Sequence, residues 1–134
     1  MNVVLVSNFM NHHQVALCDE LYKLTKGSFV FVETEEMPHS FKIGGYPSFS
    51  RTYVVKAWLD ERERQKALTL SRSADVVIGS NGKGNIPFIK DRLKNGMLTF
   101  DCSERPLKKG WINMFSPANV ISQFYYHLFF YNKP

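Results

Sequence analysis

The fold of this chain turns on residues 3–24, Val3-Val4-Leu5-Val6-Ser7-Asn8-Phe9-Met10-Asn11-His12-His13-Gln14-Val15-Ala16-Leu17-Cys18-Asp19-Glu20-Leu21-Tyr22-Lys23-Leu24. Val3 to Val6 run without a polar break, the pattern of a strand buried on both faces. After Ser7-Asn8 the periodicity changes. Leu17, Leu21 and Leu24 are spaced by four and three residues, as on one face of a helix, and this helix stops before Gly27. A strand that passes through a short polar turn into a helix is the first half of a βαβ unit.

The alternation continues outward from this segment. Phe29 to Val32, Val76 to Ile78 and Met97 to Phe100 are further apolar runs bounded by turn residues, and Tyr53 to Val55 is a weaker one. Ala67, Leu70 and Ala74 share a face in a helix that opens near Asp60, a good N-cap. Ile86, Ile89 and Leu93 do the same, with Pro87 in the first turn and Gly96 just past the end. A last helix is expected from Ser116-Pro117 through Tyr131, with Val120, Phe124, Leu128 and Tyr131 on one stripe and aromatics nearly all round. Thr34 to Thr52 shows no periodicity and reads as a long polar loop. Strands alternating with helices give right-handed crossovers and a parallel sheet covered on both faces. The expected fold is α/β, a Rossmann-like three-layer α/β/α arrangement with a mainly parallel sheet of about five or six strands.

Composition agrees with one globular domain. The 134 residues are 44% hydrophobic and 22% charged, ordinary values for a folded chain. Seventeen Lys and Arg against 12 Asp and Glu give a net charge of +5, a bias toward anionic partners that does not choose among them. No RNP-type motif, helix-turn-helix spacing or continuous basic stripe is present, so nucleic acid is not expected as a partner. Cys18 and Cys102 form no CxxC pair, which argues against a zinc or disulfide framework and for a reducing cytoplasm. The start lacks the basic region of a signal peptide. No run reaches the ~18 apolar residues of a spanning helix, so any membrane contact is expected to be peripheral.

In an open parallel sheet, ligands bind outside the carboxyl ends of the strands. Three polar segments follow strands here: Ser7 to Gln14, Gly79 to Gly84, and Asp101 to Pro106. In the first, Asn11, His12, His13 and Gln14 stand where the helix begins. They read either as recognition of sugar hydroxyls or phosphate, with one His as proton acceptor, or as a helix start in which Asn11 caps, one His packs and the other is solvated. Gly79-Ser80-Asn81-Gly82-Lys83-Gly84 fails the GxxxxGK[ST] spacing, and the first turn carries no GxGxxG. Within this loop Ser80 and Asn81 are the better placed for a ligand. Glu104 and Arg105 could orient a hydroxyl or an anionic group, or form a surface ion pair. Asp60-Glu61-Arg62-Glu63-Arg64 reads as an exposed helix start and nothing more. No metal site is expected, since His12 and His13 are adjacent and have only Cys102 as a soft partner.

VVLVSNFMNHHQVALCDELYKL (residues 3–24), FVFVETEEM (29–37), ADVVIGS (74–80), LTFDCSERPLKKG (98–110) and the closing YNKP (131–134) are similar, in this order, to bacterial glycosyltransferases of the two-Rossmann-domain (GT-B) architecture. The group most resembled is a set of transferases encoded with capsule and surface-polysaccharide genes, and the resemblance spans essentially the whole chain. It implies that residues 1–134 are the N-terminal, acceptor-side domain, with the C-terminal donor domain absent. The full-length parent would transfer a hexose from a nucleotide sugar to a glycan or lipid-linked acceptor in polysaccharide biosynthesis. The isolated chain would be inactive. Asn8, Asn11, His12, His13, Gln14, Ser80, Asn81, Glu104 and Arg105 would line the acceptor side of the cleft, with His13 as the catalytic candidate. No cofactor or metal is implied. The location implied is cytoplasmic, with peripheral contact at the inner face of the membrane. SNFMNHHQ departs from many relatives in lacking a glycine-rich turn, which argues against donor-phosphate contact by that loop. The rival reading is a stand-alone flavodoxin-like or receiver-like module, although a receiver would need acidic residues where Asn8 stands.

Overall fold

A computed structural model describes residues 1–80, 82–102, 117, 118, 120 and 121. The chain divides into two compact units, Met1–Cys102 and Ser103–Pro134. In the second, Pro117, Ala118, Val120 and Ile121 are helical, and the remainder of the helix expected from Ser116 to Tyr131 lies outside the described residues.

The first unit alternates strand and helix: β1 Val3–Ser7, α1 His12–Leu24, β2 Phe29–Glu33, α2 His39–Ile43, β3 Val54–Lys56, α3 Glu61–Ser73, β4 Val76–Ser80, a single 3-10 turn at Lys83–Asn85, α4 Ile86–Lys94 and β5 Thr99–Cys102. The strands form one five-stranded sheet in the order β3-β2-β1-β4-β5, and every pairing is parallel. This is the expected Rossmann-like fold. β1 lies at the centre and is buried throughout, as its unbroken Val and Leu content requires. Right-handed crossovers put α1 on one face of the sheet and α3 and α4 on the other. Because β1→β2→β3 grows one way and β4→β5 the other, the carboxyl edge has a switch point between β1 and β4.

The two faces pack differently. Toward α1, Val3, Leu5, Phe29, Phe31, Tyr53, Met10 and Cys18 make the core. Burial pushes the Cys18 thiol up to about 12, so it behaves as a small apolar side chain. The expected leucine stripe of α1 is corrected here. Leu17 and Leu24 are 54% and 77% exposed, while Val15, Leu21 and Tyr22 pack around Cys18. At 3.6 residues per turn, Leu17 and Leu24 lie roughly 100–120° from Cys18 around the helix. The phase is set at its start, where Phe9 and Met10 are buried and Asn11 forms a capping box with Gln14.

On the other face α3 and α4 pack against the sheet and each other. Asp60 caps α3 by accepting from the Glu63 N–H at 2.8 Å, and the buried residues are Ala67, Ser71 and Ala74, with Leu70 only half-buried. Gly79 allows α4 to approach, since a Cβ there would lie 3.2 Å from Ile89 Cγ2. α4 buries Phe88, Ile89 and Arg92, whereas Ile86 and Leu93 of the expected stripe are half-buried.

Arg92 is the surprise of this face. Its guanidinium is 1% exposed and donates to the carbonyls of Ser71 (2.9 Å), Ala74 (2.7 Å) and Leu98 (2.8 Å), with those of Arg72 and Asp75 at 3.4 Å. One side chain thus closes the C-terminus of α3, the turn into β4 and the approach to β5. The Leu98 carbonyl accepts from the Val77 N–H as well, and β5 is Thr99–Cys102, shifted two residues from the expected Met97–Phe100. A second difference lies in the stretch read as a structureless loop. It contains α2, whose Phe41 ring meets Phe9 edge-on at 5.4 Å. Five residues are too few for helical periodicity to show.

Candidate functional site at the carboxyl edge of the sheet

Val6 stands opposite Gly79 in the register, so β1 and β4 leave the sheet side by side. The ends of β1 and β4 are therefore neighbours at the switch point, as parallel pairing demands. Asn8 is exposed at the rim, and its carbonyl accepts from the N–H groups of Thr34 (3.0 Å) and Glu35 (2.9 Å), extending the β1–β2 ladder. Asn11 caps α1 by accepting from the His13 N–H at 3.0 Å, and its own N–H donates to Gln14 Oε1 at 3.3 Å. Gln14 Nε2 then donates to Ser7 Oγ at 3.2 Å. Asn11 and Gln14 thus shape the loop, and its exposed polar groups are Asn8, His12 and His13.

The two imidazoles are tilted by 44° with centroids 3.8 Å apart, and the His12 ring lies 5.4 Å from that of Tyr46. Tyr46 in turn meets Phe41 at 5.1 Å. The segment between β2 and β3 therefore walls the first turn of α1 with aromatic rings. Ser80 ends β4 beside Cys102 of β5 at the same edge. The Ser80 side chain, Asn81, Glu104 and Arg105 lie outside the described part of the structure, as do Lys108 and Lys109.

Sequence reading missed a second cluster at this edge. Glu33 ends β2 and is 8% exposed. Its Oε1 accepts the Met10 N–H at 3.0 Å, and its Oε2 accepts from Trp58 Nε1 at 3.4 Å. Thr34 Oγ1 donates to Asn85 Oδ1 at 2.8 Å, joining the β2 end to the turn before α4. Gly84 sits against this pair: a Cβ there would meet Thr34 Oγ1 at 3.2 Å and Glu35 Oε1 at 3.3 Å. Between the amino ends of α3 and α4 these residues enclose a pocket of about 390 Å³ lined by Thr34, Trp58, Asp60, Glu61, Arg64 and Phe88, among others. That volume is within the roughly 300–1,000 Å³ of small-molecule sites. The signal was present, because Glu33-Thr34 and Ala57-Trp58 also follow apolar runs.

A third polar group lies away from this edge. Arg51 grips Asp19 with Nε and Nη2 at 3.0 and 3.2 Å, and the Tyr53 hydroxyl donates to the same carboxylate. These hydrogen bonds, first that of Arg51, hold the Asp19 carboxyl below its ordinary range. Burial, then the bond to Asp19, raises the Tyr53 phenol. The group ties β3 to α1.

Among the described residues, no three His, Cys, Asp or Glu side chains are grouped so as to hold a metal ion, and no helix is long and apolar enough to cross a membrane. No protein-family model, curated protein or solved structure matches the chain.

Proposed function

We propose that this domain is the acceptor-side half of a GT-B glycosyltransferase. It holds a glycan or lipid-linked acceptor at the carboxyl edge of its sheet, and a nucleotide-sugar donor is held by a second domain. The observation that carries this reading is the convergence of polar loops from β1, β2, β3 and β4 at one edge of a parallel sheet, beside a pocket of small-molecule size. A lipid-linked acceptor would bring the protein to the inner, cytoplasmic face of the membrane. His13, exposed in the first turn of α1, is the candidate base, deprotonating the acceptor hydroxyl as it attacks the donor sugar.

The strand order also bears on the rival. β3-β2-β1-β4-β5 matches the first five strands of the Rossmann order 3-2-1-4-5-6, whereas flavodoxin and receiver domains run 2-1-3-4-5. The test is a pair of NMR titrations of the ¹⁵N-labelled chain. Oligosaccharides of surface-polysaccharide type are expected to shift amides at the carboxyl edge. Flavin mononucleotide is expected to leave the spectrum unchanged. Stoichiometric flavin binding, with no response to any saccharide, refutes the assignment.

A further inference from the structure

We propose that the pocket between the amino ends of α3 and α4 is a saccharide subsite that binds one neutral pyranose ring. The proposal rests on the acceptor-side reading and gives one ring of that acceptor a location distinct from the hydroxyl that His13 would deprotonate. Three observations support it.

The first is a fixed aromatic platform. Trp58 lines the pocket, and its indole N–H is held by Glu33, itself anchored by the Met10 amide. An indole fixed before the ligand arrives loses little freedom on binding, and its flat face suits the C–H face of a pyranose.

The second is the balance of charge. The lining holds two carboxylates, Asp60 and Glu61, against one guanidinium, Arg64. Glu35 approaches the same wall at Gly84. This surplus of negative charge disfavours a phosphate or nucleotide. Lys56 Nζ, 5.7 Å from the Trp58 ring centroid, together with Arg64, disfavours a quaternary ammonium ion, the other guest of an aromatic wall beside carboxylates. A neutral polyol suits both signs, since its hydroxyls donate to carboxylates and accept from guanidinium.

The third is unused hydrogen-bonding capacity. Among the described residues the Arg64 guanidinium has no hydrogen-bond or ion-pair partner. Asp60 uses Oδ1 to cap α3 and Glu61 uses Oε1 to accept from Gln65 at 2.6 Å, which leaves each carboxylate a second oxygen. Phe88 supplies a buried apolar floor.

The experiment titrates the ¹⁵N-labelled chain with the methyl glycosides of glucose, galactose and N-acetylglucosamine, and in parallel with inorganic phosphate, uridine diphosphate and tetramethylammonium. It follows the Trp58 indole resonance, assigned by its loss in Trp58→Phe. At least one glycoside is expected to move that resonance and the amides of residues 58–64 at millimolar concentration. Trp58→Ala and Arg64→Ala should each weaken binding by roughly tenfold, while Trp58→Phe, which keeps a ring, stays within a few-fold. Arg64 is exposed, so its replacement reports on binding even if Trp58→Ala fails to fold. Shifts confined to residues 8–14, with Trp58 unmoved, overturn the pocket and leave the acceptor-side reading standing. Phosphate, the nucleotide or tetramethylammonium binding there in place of sugars also overturns it. Silence of the whole carboxyl edge toward every glycoside sinks both.

Discussion

Replacing Arg92 by Leu should be among the most damaging single changes to the first unit. The guanidinium makes three short hydrogen bonds, to the carbonyls of Ser71, Ala74 and Leu98, of which the first two are buried. Leucine matches part of the volume and none of the donors. Each buried carbonyl left without a partner costs about 1–3 kcal/mol, so the Ser71 and Ala74 groups alone give about 2–6 kcal/mol. The half-exposed Leu98 carbonyl adds less, because water can reach it, and new apolar burial offsets some of the loss. We expect a net loss of about 3–5 kcal/mol, in line with the removal of one partner from a buried charged group. In a domain of this size that lowers Tm by about 12–30 °C. Arg92→Lys should lose about half as much, because one ammonium cannot reach the end of α3 and the Leu98 carbonyl together. Urea unfolding followed by circular dichroism measures both variants. A loss below about 1 kcal/mol for Arg92→Leu with an unchanged m-value would refute this account of how the α3, α4 and β5 segments are joined.

Other perturbations have equally definite outcomes. Gly79→Val forces α4 away from β4 at Ile89 and should cost about 1–3 kcal/mol by overpacking, read from the same unfolding curves. Cys102 is exposed and Cys18 buried, so one thiol should react with an aromatic disulfide reagent at pH 8 and the second only in denaturant; two fast thiols would contradict the packing of α1. The Asp19 carboxyl is lowered by its bond to Arg51, so its contribution to stability is present above the unfolded pKa of about 3.9 and is lost as pH falls through the lower folded value. Asp19→Asn should therefore flatten stability against pH below about pH 4, and an unchanged acid limb would dismiss the pair. On the proposed function, His13→Ala in a full-length transferase should lower the transfer rate by roughly 10²–10⁴-fold, and an unaffected rate would remove that residue from the chemistry.

The sheet was legible because its strands are near-continuous apolar runs and its helices carry plain boundary signals. Asp60 caps α3, Pro87 opens α4 and Gly96 follows it, as the residues themselves indicated. Helix phase was less legible. Leu17 and Leu24 outweighed Cys18 on hydrophobicity, yet the entry through Met10 and the Asn11–Gln14 box determined which side faces the sheet. Arg92 could not be read as interior, because its acceptors come from three separate segments that meet only in the folded chain. The pocket was hidden for a related reason. Asp60, Glu61 and Arg64 are an exposed helix start, as read, and only the folded chain places them around one pocket with Trp58 and Thr34.

Glu33 sits where the two faces of the carboxyl edge meet, and its two oxygens point opposite ways in function. One restrains the backbone just ahead of the paired histidines, and the other restrains the ring that walls the pocket. The loop on one side and the indole on the other therefore share a single peg. Removing that one carboxylate would free the Met10 N–H and the Trp58 indole N–H together.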